Sequence, residues 1–146
     1  MTLLELLIAC SILMVLASVA MPLARVSVQR RKEADLRYDL RQIRDAIDRY
    51  KDASDKNQIK VAAGTEGYPP DLDTLVKGVK LTTAQDNKQV RFLRAIPADP
   101  ITGSKDWGLR SVQDDADSDS WGGQDVFDVY SKSTGTALDG TKYSEW

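Results

Sequence analysis

The chain has 146 residues, 20 basic against 22 acidic side chains for a net charge of -2, and no histidine. That balance leaves no basic footprint for general nucleic-acid binding, and the missing imidazole removes the commonest acid–base group and metal ligand. The single cysteine, Cys10, stands in an apolar run, so the rest of the chain holds no disulfide, and an enzyme would have only carboxylates, lysines and hydroxyls to work with.

From Leu6 to Ala24 the sequence runs 19 residues without a charge. A helix of that length measures about 28 Å, close to the roughly 30 Å hydrocarbon thickness of a bilayer. Glu5 stands at its head. An ionisable group at membrane depth is costly and usually has a partner and a purpose, which makes Glu5 the first candidate functional residue. The run lacks the pattern of a secretory signal, which has a basic region before the apolar core and a small-residue cleavage site after it. Its far end continues into Arg25, Arg30, Arg31 and Lys32. Counting those basic residues would put that end in the cytoplasm if nothing were removed ahead of Met1. Cys10 reads as a small apolar filler.

After Pro22 the pattern turns amphipathic. Leu36, Leu40, Ile43, Ile47 and Tyr50 recur at alternating spacings of four and three, one stripe of a helix. Arg37, Asp39, Arg41, Arg44, Asp45, Asp48 and Arg49 are expected on its solvated face, with Asp45 and Arg49 at a pairing distance. The pattern predicts a single helix from about residue 2 to residue 53, bent or weakened at Pro22, since no turn residues divide it. Two separate helices are the alternative.

Residues 53–67 read as a loop, and Asp71 to Val76 as a short helix begun by acidic residues after Pro69 and Pro70. Leu81 to Lys88 is expected to be a loop, and Gln89 to Ile96 is open between a helical turn and a strand. Ile96 to Gly103 is rigid turn material. Trp107 to Val112 and Asp125 to Ser131 read as two antiparallel strands that bury one face on the helix stripe. Tyr143 and Trp146 are expected to tack the tail onto this head. The fold class is therefore α+β, with a long N-terminal helix packed on a small antiparallel sheet. Residues 1–24 are expected to form a membrane or filament-core helix. Residues 25–146 would form a globular head that includes the amphipathic half of the helix.

A chain that opens with one residue followed by Thr2-Leu3-Leu4-Glu5-Leu6-Leu7, an apolar helix and an amphipathic continuation resembles the type IV pilin superfamily. Tyr68-Pro69 with Leu72 and Leu75, Ile96-Pro97-Ala98-Asp99-Pro100, Asp125 to Ser131 and the terminal tryptophan look like the major pseudopilin of type II secretion systems. Many type IV pilins instead close their last loop with a cysteine pair, which this sequence lacks. The resemblance implies a pilin-like fold and a structural, non-enzymatic subunit of a helical pseudopilus filament that acts in protein export across the outer membrane. A surface pilus serving adhesion, motility or ligand binding is the alternative. It also implies that a prepilin peptidase removes a basic leader, that Met1 is then the processed and N-methylated terminus, and that the head lies in the periplasm. Partners would be further copies joined through their N-terminal helices, minor pseudopilins and an inner-membrane assembly platform, with no nucleic acid.

Glu5 then has a counter-charge: the free amine of Met1 on an adjacent subunit, met only in the correct stagger. An isolated anchor would instead let the carboxylate reach the headgroups. Pro22, with Ser11 and Ser18, marks the candidate helix break, because filaments of the superfamily partly extend this stretch, here between about Met14 and Pro22. An ordinary kink is the alternative. Asp114, Asp115, Asp117 and Asp119 invite calcium, but the EF-hand spacing fails: with Asp115 first, Ser120 replaces the required glycine and Val126 the glutamate. The family often binds calcium in the tail, where this chain has Asp139 but no Asp-Asp cluster. Asp115, Asp117, Asp119 and Asp139 are thus the metal candidates, with calcium in doubt and tail packing by Tyr143 and Trp146 expected in its place.

Overall fold

The computed structural model describes residues 2–82 and 88–146. Met1 lies outside them, as do residues 83–87 of the loop expected between Leu81 and Lys88. Helix α1 runs unbroken from Leu3 to Asp55, 53 residues or about 80 Å. Thr2 caps it in an extended conformation, its side chain accepting from the Glu5 amide. The other end stops where Lys56 N donates to Asp52 O and Asn57 takes a positive φ of 52°. Asn tolerates that left-handed turn better than other residues with a side chain. The helix continues through Pro22.

The expected stripe is the core. Leu36, Leu40, Ile43, Ile47 and Tyr50 are all buried, joined by Ala46 and Ala53. They pack in one cluster with Leu72, Leu75, Phe92, Leu93, Trp107, Val126, Val129 and Tyr143. Helix α2, Leu72–Lys77, is capped by Asp71, whose Oδ1 accepts from both Thr74 N and Thr74 Oγ1 at 2.7 Å. Gly78 ends it with φ 89°, and a Cβ there would strike Val90 O at 2.8 Å.

The sheet differs from the expected one. There are two separate antiparallel pairs: β1, Val79–Lys80, with β2, Gln89–Val90, and β3, Gly108–Arg110, with β4, Asp128–Tyr130. Gly108 opposes Tyr130 and Arg110 opposes Asp128. Strands β3 and β4 are shorter than their sequence runs, and at the end of β3 side chains capture the next amides. Ser111 N donates to Asp114 Oδ2 at 2.8 Å and Val112 N to Asp125 Oδ1 at 3.1 Å, which ends the ladder. Beyond β2 the ambiguous segment is neither helix nor strand, since Phe92 N and Leu93 N both donate to Leu75 O at 3.0 Å.

Two residues expected on the solvated face of α1 reach across to the head. Arg44 is half-buried, with Nε 2.6 Å from Asp128 Oδ1 and Nη2 3.0 Å from Val129 O and 2.8 Å from Trp146 O. Arg49 does not pair with the Asp45 carboxylate: its Nε donates to Asp45 O at 3.1 Å and its Nη2 to Phe92 O at 2.9 Å. For Arg49, main-chain oxygens take the place of a surface ion pair, which contributes little in water.

Candidate assembly surface and stem–head junction

Every residue from Thr2 to Val28 is exposed. Leu3, Leu7, Ile12, Met14, Leu16, Val19 and Leu23 all project into the surroundings at more than half of their full accessibility. The segment is long and apolar enough to cross a membrane, and none of it is covered by the head. A continuous apolar surface of this size is of the kind that lipid or other protein can cover. Cys10 is exposed on it.

Glu5 sits in the first turn, its amide 3.3 Å from Thr2 Oγ1. A carboxylate there faces the positive end of the helix dipole. Among the described residues no cation pairs with it. Deeper in the segment, Ser11 Oγ donates to Ile8 O at 2.8 Å and Ser18 Oγ to Val15 O at 2.7 Å. Pro22 has no amide to offer the carbonyl of Ser18, so the helical ladder is thinned over this stretch while the helix itself persists.

The head takes hold of the helix at Gln29 and Glu33. Glu33 Oε1 accepts from Gln29 Nε2 at 3.1 Å, from Tyr143 Oη at 3.0 Å and from Leu138 N at 2.9 Å. Gln29 Nε2 also lies 3.1 Å from Tyr143 Oη. Burial pushes the Tyr143 phenol above its ordinary range, which keeps its proton in place for this bond. One turn on, the Arg37 guanidinium lies over the Trp146 ring at 4.1 Å, and Trp146 meets Tyr143 edge to face at 5.2 Å. The two aromatics therefore do fasten the tail to the stem. The Glu33 carboxylate, next to the basic run from Arg25 to Lys32, is committed to the tail. Gln29 and Glu33 continue the four-and-three register of the buried stripe, which is the signal that could have found them: polar side chains on a core face need partners.

The metal candidates are scattered. Asp139 is engaged by Thr141, with Oγ1 at 2.6 Å and N at 3.0 Å, and by Arg37 at 3.2 Å. The Thr141 bonds hold its carboxyl below the usual range. Asp115, Asp117 and Asp119 are exposed on the loop between β3 and β4. Among the described residues, no three acidic or sulfur side chains gather closely enough to hold an ion. The tail therefore does not fit the calcium site that the resemblance suggests. Elsewhere in the head, buried Asp99 accepts from Ser131 Oγ at 2.5 Å and from Ile101 N at 2.7 Å, pinning the proline turn to the end of β4.

Comparison of the chain with protein-family models, with curated proteins and with solved structures returns no match.

Proposed function

We propose that this chain is a structural filament subunit: copies leave a membrane, pack their apolar helix halves into a common core and display their heads outside. The observation that carries this is the division of one continuous helix. Its first half is wholly exposed, apolar and headed by Glu5, while its second half supplies the stripe on which an α+β head is built. Outside the bilayer, burial of the surface from Leu3 to Leu23 between neighbours provides the cohesion, at about 25 cal/mol per Å² kept from water. Glu5 provides the stagger, by meeting the amine of Met1 on the next subunit. No catalytic residue is required of the chain.

With the motif resemblance, the specific form we propose is the pseudopilus of a type II secretion system, its head periplasmic, its leader cut by a prepilin peptidase, and its assembly driven by an inner-membrane platform with minor pseudopilins. Substitution tests the pairing: Glu5→Leu and Glu5→Ala should leave a membrane-inserted subunit yet yield few or no filaments in electron micrographs. Normal filament yield from both variants removes the pairing. Loss of protein export on deletion of the chain, with adhesion and motility intact, separates a pseudopilus from a surface pilus.

A further inference from the structure

The loop joining β3 to β4 ends on two buried oxygens that nothing in the described chain satisfies. Ser111 and Asp125 are 1 % and 0 % exposed, and neither Ser111 Oγ nor Asp125 Oδ2 has a hydrogen-bond partner among the described residues. Buried polar atoms in folded proteins are nearly always paired, with protein, water or an ion. The remaining oxygens of Asp125 are occupied: Oδ1 accepts from Val112 N at 3.1 Å and the main-chain O from Trp121 Nε1 at 2.6 Å. Asp114 Oδ2 accepts from Ser111 N at 2.8 Å and Gly122 N at 3.0 Å, and its Oδ1 turns to the side of Gly122.

Gly122 marks where Ser111 Oγ and Asp114 Oδ1 face. A Cβ at that position would meet Asp114 Oδ1 at 2.9 Å, Ser111 Oγ at 3.0 Å and Gln124 Oε1 at 3.1 Å. Three oxygens from three residues therefore border one small space beside the glycine. Gly122 is not among the glycines with positive φ, so what its missing side chain supplies is room.

We propose that this space binds a hard divalent cation, calcium by its chemistry, through Ser111, Asp114 and Gln124. The donors are all oxygen, of hydroxyl, carboxylate and amide type, which calcium accepts in irregular sets of six to eight completed by water. Magnesium demands a near-ideal octahedron that an irregular loop of this kind does not offer. The Asp114 carboxylate meets part of the ion's charge. The site uses neither Asp115, Asp117 and Asp119 nor the tail, and it stands apart from the filament assignment because it concerns the head alone.

Trp121, hydrogen-bonded to Asp125, gives the test its reporter. The full chain in detergent micelles is titrated with terbium while tryptophan is excited, and its melting temperature is followed with and without calcium at about 1 mM, a concentration at which sites on extracellular modules fill. Expected are saturable terbium emission, its displacement by calcium but not by equal magnesium, and a higher melting temperature with calcium. Gly122→Ala, which fills the space, and Asp114→Asn should each weaken binding by at least about tenfold. Asp117→Asn should leave it unchanged. Emission that does not saturate, a melting temperature indifferent to calcium, or wild-type affinity in Gly122→Ala overturns the site and assigns the space to water.

Discussion

Tyr143 donates its phenol proton to Glu33 across 3.0 Å although the two residues are 110 positions apart in the sequence. This bond ties the end of the chain to the point where the helix leaves the head. Because Glu33 Oε1 also receives Gln29 and the Leu138 amide, one carboxylate oxygen holds three donors from two chain segments. Charge-assisted bonds of this kind contribute about 1.5–3 kcal/mol, against about 1 kcal/mol for neutral ones. Tyr143→Phe, which removes one donor and keeps the ring in its place, should destabilise the head by about 1–2 kcal/mol. Glu33→Ala should cost more than Glu33→Gln, because only the amide retains an acceptor for the buried hydroxyl. Thermal unfolding ranks the three variants, and amide exchange at Leu138 should quicken in Glu33→Ala while exchange at Ile43 stays slow.

The two halves of α1 should respond oppositely to the same change. Leu40 is 2 % exposed and Leu16 62 % exposed. Leu40→Ala leaves a cavity in the head and should cost about 2–5 kcal/mol. Leu16→Ala should shift head stability by no more than about 0.5 kcal/mol, yet reduce filament yield, since its surface is buried only between subunits. Melting curves of the head signal in detergent, set beside filament counts from micrographs, check both. A large loss of head stability in Leu16→Ala would mean that the apolar half folds back onto the head.

The stripe from Leu36 to Tyr50 was legible because a helix buries whatever recurs at its own period, and that period needs no knowledge of the partner. The same holds for the cap at Asp71 and for the tacking role of Tyr143 and Trp146, which aromatic residues in an otherwise polar tail announce. Arg44 was not legible. Its place on the helix is that of a solvated residue, and only the return of β4, 84 positions later, brings Asp128 to it. Strand β1 was not legible, and Gln89–Val90 stayed open between a helical turn and a strand, because two residues are too few to show a period. The oxygens around Gly122 were hidden for a different reason. The acidic spacing drew attention to Asp115, Asp117 and Asp119, whereas the folded loop turns Asp114 and Asp125 inward and leaves the others in water.

The pH dependence of stability should carry the mark of Asp39. This residue, half-buried on α1, has its carboxyl raised above the ordinary value of 3.8 by burial first, and then by the negative charges of Asp35 and Asp99. A raised value means that the folded chain holds the proton more tightly than the unfolded one. The contribution is therefore fully favourable below the unfolded value and is lost as pH rises through the folded one. Asp139 works the other way. Its lowered carboxyl supplies stability that is present above the unfolded value and lost as pH falls through the folded one, so the wild-type curve is a compromise. Asp39→Asn separates the two. Near neutral pH the variant should melt at a higher temperature than the wild type, because a poorly solvated charge with two like neighbours has been removed. Below about pH 3.8, where the wild-type residue is itself protonated, the gap should close. Melting temperatures of both chains across that range give the difference directly, and a gap independent of pH would assign the effect to packing instead of charge.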